Sequence, residues 1–409
     1  MLLLKSKLIL NFNDMKNNYS MTLTACSVGY VVQAVINNFL PLLFVYFVSI
    51  YEIPLSLITV LVSYNFILQI AIDYFSSAFI LKIGYRKTAI ISACFAILAF
   101  IVLAVLPNVL KGYMLKYISI MLAVTLMAIG SGVSEVILSP IIEALPFENK
   151  EAKMSFLHSF YALGHLFIIL SATAFFVIFG IEKWYIFSIL LIIIPLFEIL
   201  LFLKCPIIKP SGDEVRVKKS KLFKDKTFIL LFLLMIMAGA SEQAIAQWAS
   251  FFAEKGLNVS KTTGDLIGAS TFALFMFISR MFYGLSKDKL NLKTTITVCA
   301  LLLTACYVLT VIQPSAVLSL VFVALCGLFV GIMWPGVYAL GGKIFSQGGT
   351  VMFSMLALGG DIGCSIGPML VGAVASKFDI NLGILIATIF PFLLFIGMII
   401  LKRNKKTSR

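Results

Sequence analysis

Long apolar runs fill most of the chain, and short polar segments separate them. A transmembrane helix needs roughly 20 predominantly apolar residues, whereas a membrane barrel strand needs about 10 residues of alternating polarity. The runs have the first length and lack the alternation, so they predict an all-α membrane protein. We expect twelve transmembrane helices, at residues 22–48, 55–81, 88–107, 117–145, 154–179, 184–204, 227–253, 262–286, 294–313, 316–343, 350–376 and 383–401.

Composition supports a membrane location. Of the 409 residues, 61% are hydrophobic and only 12% are charged, and the mean hydropathy is +1.06. Soluble domains carry roughly 25% charged residues. A soluble protein of this composition would expose more apolar surface than a core could hide, whereas lipid solvates such a surface.

The positive charges test the number of spans. Counted over alternate loops, 26 of the 32 Lys and Arg residues fall on the side of the N-terminus and 6 on the other. Because cytoplasmic loops are enriched in Lys and Arg, both termini are expected in the cytoplasm, at a bacterial cytoplasmic membrane. One missed span would invert the alternation and remove the bias. The placement also explains the net charge of +14 without a nucleic-acid partner, and we expect none.

The longest polar segment divides the chain into two halves. It covers residues 204–226 and contains eight Lys or Arg residues. We expect a six-helix half at 1–203, this basic cytoplasmic linker, a second six-helix half at 227–401, and a basic tail at 402–409. Basic segments beside a membrane attract anionic headgroups, so membrane lipid is an expected partner.

An internal repeat relates the halves. At a constant offset of 195 residues, the stretch 132–164 matches 327–359 at nine positions without a gap. The matched positions include Gly132, Pro140 and Gly164. The repeat pairs span 4 with span 10 and span 5 with span 11. It therefore predicts a parallel duplication of six helices, that is, two six-helix pseudo-repeats.

Two loops resemble the major facilitator superfamily. The loop after span 2, at residues 77–87, keeps the Lys, the Gly and the final basic pair of the motif Gly-x-x-x-Asp-Arg-x-Gly-Arg-Lys. Ser77 and Leu81 replace the leading Gly and the Asp. The loop after span 8, at residues 284–289, keeps Gly-x-x-x-Asp-basic. With twelve spans and a long basic loop after the sixth, the resemblance implies a transporter that works by alternating access.

Within that superfamily, the chain is most similar to the fucose permease group of sugar–proton symporters. The similarity is carried by four stretches in spans 1, 4, 10 and 11, at residues 37–41, 135–140, 334–341 and 359–363. In that group a carboxylate stands at the position of Asn37, and Ser139 replaces the usual Asn. The resemblance implies uptake of a sugar together with protons.

Placing an ionisable side chain at the centre of the bilayer costs roughly 2.5–3.5 kcal/mol of insertion free energy. Such residues therefore face the interior of the helix bundle, and a functional role is the default expectation. Glu135 in span 4 and Glu242 in span 7 are the candidates for proton coupling, because lost hydration favours a protonated carboxyl. We expect no cation at their depth. The alternative is a purely structural Glu. Glu143, Glu198 and Asp265 lie near span ends, where water is expected to reach them.

Polar and aromatic residues at mid-depth are candidate substrate ligands. Amides donate and accept hydrogen bonds, and aromatic faces pack against the C–H surfaces of sugars. The aromatic residues and His165 have packing as an alternative role, and Asp361 could bind substrate or brace span 11. The candidates are Gln33, Asn37, Asn38, Tyr161, His165, Gln243, Gln247, Trp248, Trp334, Tyr338 and Asp361.

A polar stripe at positions 65, 69 and 73 follows one face of span 2. Its last member, Asp73, is close in sequence to two basic residues, which favours an inner gate whose charge pairs break on opening. Arg280, near the inner end of span 8, is the expected counterpart in the second half. The gating candidates are Asp73, Lys82, Arg86, Arg280 and Asp288.

The remaining features limit the function. The seven cysteines show no paired spacing, so we expect no disulfide and no metal site. There is no Walker A loop and no large polar domain, so we expect neither an enzyme nor a cofactor. We interpret the chain as a monomeric transporter of a small polar solute, with sugar as one candidate, coupled to protons. An exporter of drugs or amphipathic metabolites and a non-transporting membrane sensor or assembly partner stay open.

Overall fold

The computed structural model describes residues 2–209, 218–249, 252–260, 263–286, 290–375 and 377–403. Regular structure in these residues is entirely helical. Eleven helices among them are long and apolar enough to cross a membrane. Leu55–Ile83 has 29 residues, about 43 Å at 1.5 Å per residue, and is long enough to be a twelfth span. The predicted all-α membrane fold is confirmed.

We number the spans α1 to α12. The first half contains α1 Leu2–Phe39, α2 Leu55–Ile83, α3 Tyr85–Val109, α4 Tyr113–Ala144, α5 Lys150–Phe179, and α6 in two pieces, Trp184–Leu190 and Ile193–Lys204. The second half contains α7 Lys226–Ala246, α8 Ser270–Leu285, α9 Leu292–Ile312, α10 in two pieces, Ala316–Val330 and Met333–Ile344, α11 Gly349–Ala375, and α12 in two pieces, Ile380–Ala387 and Ile389–Arg403. Short segments extend this pattern at Leu40–Leu43, Phe44–Ser49, Ile181–Lys183, Lys219–Leu222, Phe252–Gly256 and Gly264–Ala269.

Side-chain caps fix the start of four spans. The side chains of Asn149, Asp225, Asn291 and Asp379 each accept a hydrogen bond from a backbone N–H in the first turn of α5, α7, α9 and α12. These N–H groups have no partner inside the helix, so a cap oxygen stabilises the helix start, typically by about 1 kcal/mol.

Prolines explain why three spans are broken. Proline has no N–H, so the carbonyl four residues earlier loses its helical partner. The interruptions at residues 191–192, 331–332 and 388 fall three to four residues before Pro195, Pro335 and Pro391. The broken spans α6 and α12 occupy equivalent places in the two halves.

Close packing at glycines reproduces the predicted duplication. Gly132 of α4 lies against Ile72 of α2, where an added Cβ would be 3.1 Å from Ile72 Cγ2. Gly327, its repeat partner on α10, lies against Phe272 of α8, where an added Cβ would be 2.2 Å from the Phe272 carbonyl oxygen. Spans α5 on α1 and α11 on α7 repeat the pattern through Gly164 and Gly359. Equivalent helices thus meet equivalent partners, which supports two six-helix pseudo-repeats.

Spans α7 and α11 approach each other backbone to backbone. A Cβ added at Gly239 would lie 2.3 Å from the Gly360 carbonyl oxygen, and one added at Gly363 would lie 2.0 Å from the carbonyl oxygen of Ile236. Small residues permit this approach between membrane helices. The contact positions Glu242 of α7 and Asp361 of α11 toward the centre of the molecule.

Replacing Gly363 by alanine is therefore expected to force α7 and α11 apart. Overpacking of this kind costs about 1–3 kcal/mol, so the melting temperature in detergent should fall. Gly268→Ala is the matched control, because its Cβ would lie 3.3 Å from the nearest atom, the Ala249 carbonyl oxygen, and should lower the melting temperature less. Equal melting temperatures for Gly363→Ala and wild type would contradict the packing described.

Candidate functional site

A central cavity of about 610 Å³ lies between the two halves. Four helices of each half line it: α1, α2, α4 and α5 from the first, and α7, α8, α10 and α11 from the second. Most of the lining is polar. It consists of Tyr30, Gln33, Asn37, Asn38, Asn65, Phe66, Gln69, Glu135, His158, Tyr161, Glu242, Gln243, Gln247, Arg280, Trp334, Asp361 and Cys364.

The two ends of the bundle differ. We call the end that carries residues 143–153 and the loop between α6 and α7 the linker side. There the halves are joined by a salt bridge of 2.5 Å between Lys343 Nζ and Glu151 Oε1, and by a hydrogen bond between the hydroxyls of Tyr85 and Thr350.

Toward the opposite end the cavity continues. A second cavity of about 430 Å³, open to solvent, shares four lining residues with the first and extends along Leu40, Pro41 and Phe44, which follow the end of α1. The shared residues are Asn37, Asn65, Phe66 and Gln247. The structure therefore shows the halves in contact on the linker side and the cavity extending away from it.

An ion pair buried in the cavity joins α7 to α8. Arg280 Nη2 lies 2.8 Å from Glu242 Oε2, and the side chains are 2% and 7% exposed. Arg280 also donates through Nε to the carbonyl oxygen of Gly331 at 2.8 Å, and through Nη1 to that of His158 at 3.1 Å. The Gly331 carbonyl is available because Pro335, four residues later, has no N–H to offer it. Arg280 thus links α7, α8 and α10 to α5 of the first half.

This ion pair corrects two expectations. We expected no cation at the depth of Glu242, which is wrong, because Arg280 neutralises that carboxylate. We also expected Arg280 at the inner end of its span as part of a gate, whereas its guanidinium lies in the central cavity.

Glu135 has a different environment from Glu242. Its Oε2 accepts a hydrogen bond of 2.7 Å from Gln33 Nε2, and the residue is 6% exposed. The partner is a neutral amide of α1, so this contact leaves any charge on Glu135 uncompensated. Of the two predicted proton-coupling residues, Glu135 is thus paired with an amide and Glu242 with a cation.

A hydrogen-bonded triad lies beside Glu135 in the first half. Tyr30 Oη is 2.8 Å from Ser139 Oγ and 3.2 Å from His158 Nε2, and Ser139 Oγ is 3.2 Å from the same nitrogen. Tyr30, Gln33 and Asn37 share one face of α1, since they are spaced by three and four residues. Helix α1 therefore places a phenol and two amides along one wall of the cavity.

The second half contributes an amide pair and an aromatic wall. Gln247 Nε2 donates to Gln243 Oε1 at 3.1 Å on α7. Trp334 of α10 faces the cavity, and the ring of Tyr338 stacks behind it at 6.2 Å between centroids and 16° between planes. Gly360 leaves room for the indole, because an added Cβ would lie 2.0 Å from Trp334 Cη2.

Most of the predicted substrate ligands line the cavity, and three do not. His165 is not among the lining residues. Trp248 instead donates through Nε1 to the carbonyl oxygen of Pro368 at 3.1 Å, and Tyr338 is fully buried behind Trp334. The residues that the structure does bring together are Gln33, Asn37, Asn38, Tyr161, Gln243, Gln247, Trp334 and Asp361.

The predicted gating residues are dispersed. Asp73 is fully buried on α2 and lies near Asp361 rather than beside the basic residues of the following loop. Lys82 is exposed, and Arg86 donates to the carbonyl oxygens of Phe202 and Cys205 at the end of α6. Asp288 lies outside the described residues.

The expected surroundings of Glu198 were wrong. We expected water to reach Glu198 near the end of its span, but the residue is 0% exposed, and neither carboxyl oxygen has a hydrogen-bond partner among the described residues. Its Oε1 would lie 2.9 Å from a Cβ added at Gly29 of α1, so it belongs to the interior of the first half. After the bend at Pro195, this segment of α6 packs against α1 and α3.

Sequence reasoning missed several lining residues. Tyr30 could have been found, since it shares the face of Gln33 and Asn37 on α1. Asn65 and Gln69 were recognised as part of a polar stripe, but only its last member, Asp73, was given a role, as a gating residue. Phe66 and Cys364 carry no polar signal that separates them from ordinary apolar residues of a span, because only the packing of the two halves exposes them to the cavity.

Two six-helix halves around a central cavity, joined by an ion pair and a hydrogen bond on the linker side, have the architecture of a secondary transporter. The family model of the Major Facilitator Superfamily matches residues 25–353 and 254–409. The chain belongs to this superfamily.

Solved structures with the same fold include sugar symporters. The fucose:proton symporter FucP of E. coli has a TM-score of 0.72 at 15% identity, covering 93% of this chain and 98% of that chain. The proton:xylose symporter XylE has a TM-score of 0.76 at 14% identity, covering 93% and 95%. The human organic anion transporter MFSD10 has a TM-score of 0.73 at 14% identity, covering 93% and 99%. At these identities the likeness shows the fold.

A relative in sequence is membrane protein MosC of Rhizobium meliloti. It is 25% identical over 172 residues, which is 42% of this chain and 40% of MosC. The chain therefore matches well under half of that protein's length.

Proposed function

We propose that the protein takes up a small polar solute of the sugar type together with protons, by alternating access across the cytoplasmic membrane. The observation that carries this proposal is the cavity lining, in which seven amide side chains surround three carboxyls. Two of these carboxyls, Glu135 and Glu242, differ in their partners. Amides match the mixed donors and acceptors of hydroxyl-rich solutes, and Trp334 offers a face for sugar C–H groups. FucP and XylE, two proteins of the same fold, are sugar–proton symporters by description.

Glu135 is the residue we assign to proton coupling. Its hydrogen bond comes from the neutral amide of Gln33, so binding a proton removes a buried charge instead of breaking an ion pair. Glu242 is held by Arg280, and its proposed role is to keep the guanidinium in place at the junction of the halves. This assignment narrows the two predicted proton sites to one.

Alternating access follows from the asymmetry of the two ends. With the linker side in the cytoplasm, as the charge bias predicts, the described state has its cytoplasmic contacts closed and its cavity directed outward. Solute and proton would enter from outside. Transport then requires the contacts Lys343–Glu151 and Tyr85–Thr350 to separate.

Counterflow in proteoliposomes tests the solute class without any ion gradient. Vesicles loaded with an unlabelled compound are diluted into a trace of the same labelled compound, across a panel of sugars, polyols and lipophilic cations. We expect transient accumulation of one or more sugars or polyols. Counterflow of lipophilic cations alone would favour the exporter alternative, and no counterflow with any member of the panel would contradict the proposed solute class.

A further inference from the structure

Two buried carboxyls from opposite halves lie together at the wall of the cavity, where Asp361 is one of the lining residues. Asp73 of α2 is 0% exposed and Asp361 of α11 is 3% exposed, and their charges are close enough to interact. Both oxygens of Asp73 and Oδ2 of Asp361 have no hydrogen-bond partner among the described residues. We call these two residues the aspartate pair.

Among the described residues, no cation compensates the charge of the aspartate pair. The other ionisable groups in electrostatic reach are Glu135 of α4, Tyr338 of α10 and Cys364 of α11, and no cation is among those the structure describes there. Gln69, one turn before Asp73 on the same face of α2, is 1% exposed and has an unpartnered Nε2. The pair therefore lies in a buried site with unsatisfied polar atoms and an excess of acceptors.

Elementary electrostatics limits how such a pair can be charged. Two like charges in a medium of low dielectric repel strongly, so both carboxyls cannot ionise at low cost. A single proton shared between them leaves only one charge on the pair. It also supplies a donor, because the protonated carboxyl donates a hydrogen bond to the ionised one. Sharing a proton in this way requires α2 and α11 to be in contact, and the two helices are in contact in the structure.

The distance between the two carboxyls depends on whether the linker side is closed or open. Thr350, which hydrogen-bonds with Tyr85 on the linker side, begins the helical stretch that reaches Asp361 about 16 Å deeper, at 1.5 Å per residue. Separation of the halves on the linker side would pull α11 from α2 and admit water. The two carboxyls would then be hydrated and apart, and each could ionise.

We propose that the aspartate pair is a second proton-binding site, distinct from Glu135, which holds one proton between its carboxyls when the linker side is closed and releases it when that side opens. This proposal rests on the proposed alternating-access function. The pair exchanges its proton with the linker side only, so it biases closure without adding to the protons that drive uptake. Glu135 binds its proton within one half and couples it to the solute.

Distances measured without any solute test the proposal. Spin labels at positions 79 and 285, at the linker-side ends of α2 and α8, would report the ratio of closed to open molecules in nanodiscs, in a background with the seven native cysteines replaced. Because the closed state takes up the proton, we expect closed molecules to predominate at low pH and to decline as the pH rises. A ratio that is constant with pH, or that responds to sodium instead, would overturn the proposal.

A double-mutant cycle separates shared protonation from a merely structural contact. Asp73→Asn and Asp361→Asn should each raise the ratio of closed to open molecules at about pH 8. The increase in the double variant should be smaller, by about fivefold or more, than the product of the two single increases. At about pH 5, where the pair holds its proton, this coupling should shrink. Effects that multiply at every pH would overturn the proposal.

The matched control is Glu198→Gln. Glu198 is an equally buried carboxyl without a hydrogen-bond partner among the described residues, but it lies inside the first half. Its neutralisation should therefore leave the closed fraction unchanged at every pH. If it changed that fraction as much as the aspartate variants did, general burial and not the inter-half pair would be responsible. Since these distances need no solute, failure of the counterflow assay would leave this test standing.

Wild-type protein offers a readout that depends on no substitution. A hydrophobic carbodiimide modifies protonated carboxyls in apolar sites, and mass spectrometry locates the product. We expect modification of Asp73 or Asp361 that declines as the pH rises. Absence of modification at both residues at about pH 5 would overturn the proposal.

Discussion

Replacing Arg280 by glutamine is expected to destabilise the protein and to stop transport. Glu242 would stay buried without its cation, and breaking a buried ion pair from one side costs about 3–5 kcal/mol. The carbonyl oxygens of Gly331 and His158 would lose a charged donor as well. We expect a lower melting temperature in detergent and counterflow reduced at least about tenfold.

Two further variants identify the cause of that loss. Replacing both Arg280 and Glu242 by glutamine removes both charges and should recover much of the melting temperature, while counterflow stays low. Lys343→Gln is the control for charge removal as such, because Lys343 is 64% exposed and its bridge to Glu151 contributes at most about 1 kcal/mol. Wild-type stability and counterflow in the Arg280→Gln protein would contradict this role.

Replacing Glu135 by glutamine is expected to abolish proton-driven accumulation and to spare exchange. Glutamine keeps the size and an acceptor oxygen for Gln33, but it cannot carry a proton at any pH used in transport. Accumulation should stop at equal concentrations inside and outside, whereas counterflow of the same solute continues. Both are measured in one preparation of proteoliposomes.

The control for Glu135→Gln makes the same chemical change elsewhere in the first half. Glu198→Gln also removes a buried carboxyl from that half, away from the cavity, and should leave accumulation and counterflow intact. Normal uphill uptake by the Glu135 variant would contradict the assignment of proton coupling to this residue. Loss of uptake in both variants would point to a general cost of losing a buried carboxyl.

The helices and their duplication could be predicted because they depend on local properties. Long apolar runs have one stable solution in a bilayer, and the glycines and prolines at the 195-residue offset constrain the backbone directly. Gly132 and Gly327 show this, since each lies against the second helix of its own half. The sidedness of the two ends is a prediction of the charge bias alone.

The site was harder to predict because it depends on depth and on the contact between halves. His158 and His165 are two helical turns apart, about 10 Å, and share a face, yet only His158 lines the cavity. Trp248 follows Gln247 by one residue and is turned about 100° away from it. Periodicity gives the face of a helix, but not how far along that face the cavity extends.

Arg280 shows the same limit. It lies six residues from the end of its predicted span, which favoured a gate. Its acceptors are a carboxylate on α7, a carbonyl on α5 and a carbonyl on α10 released by Pro335. These groups meet only when the two halves are assembled, so no pattern within one helix could locate the guanidinium.

The most direct test of the central claim is uptake by proteoliposomes across an imposed pH gradient. The solute that shows counterflow is supplied outside at acidic pH, with the vesicle interior alkaline, and its internal concentration is followed with and without a protonophore. Proton-coupled uptake predicts accumulation above the external concentration, collapse of that accumulation by the protonophore, and no accumulation when the gradient is reversed. Uptake that only equilibrates, and that does not respond to the gradient, would contradict proton-coupled transport.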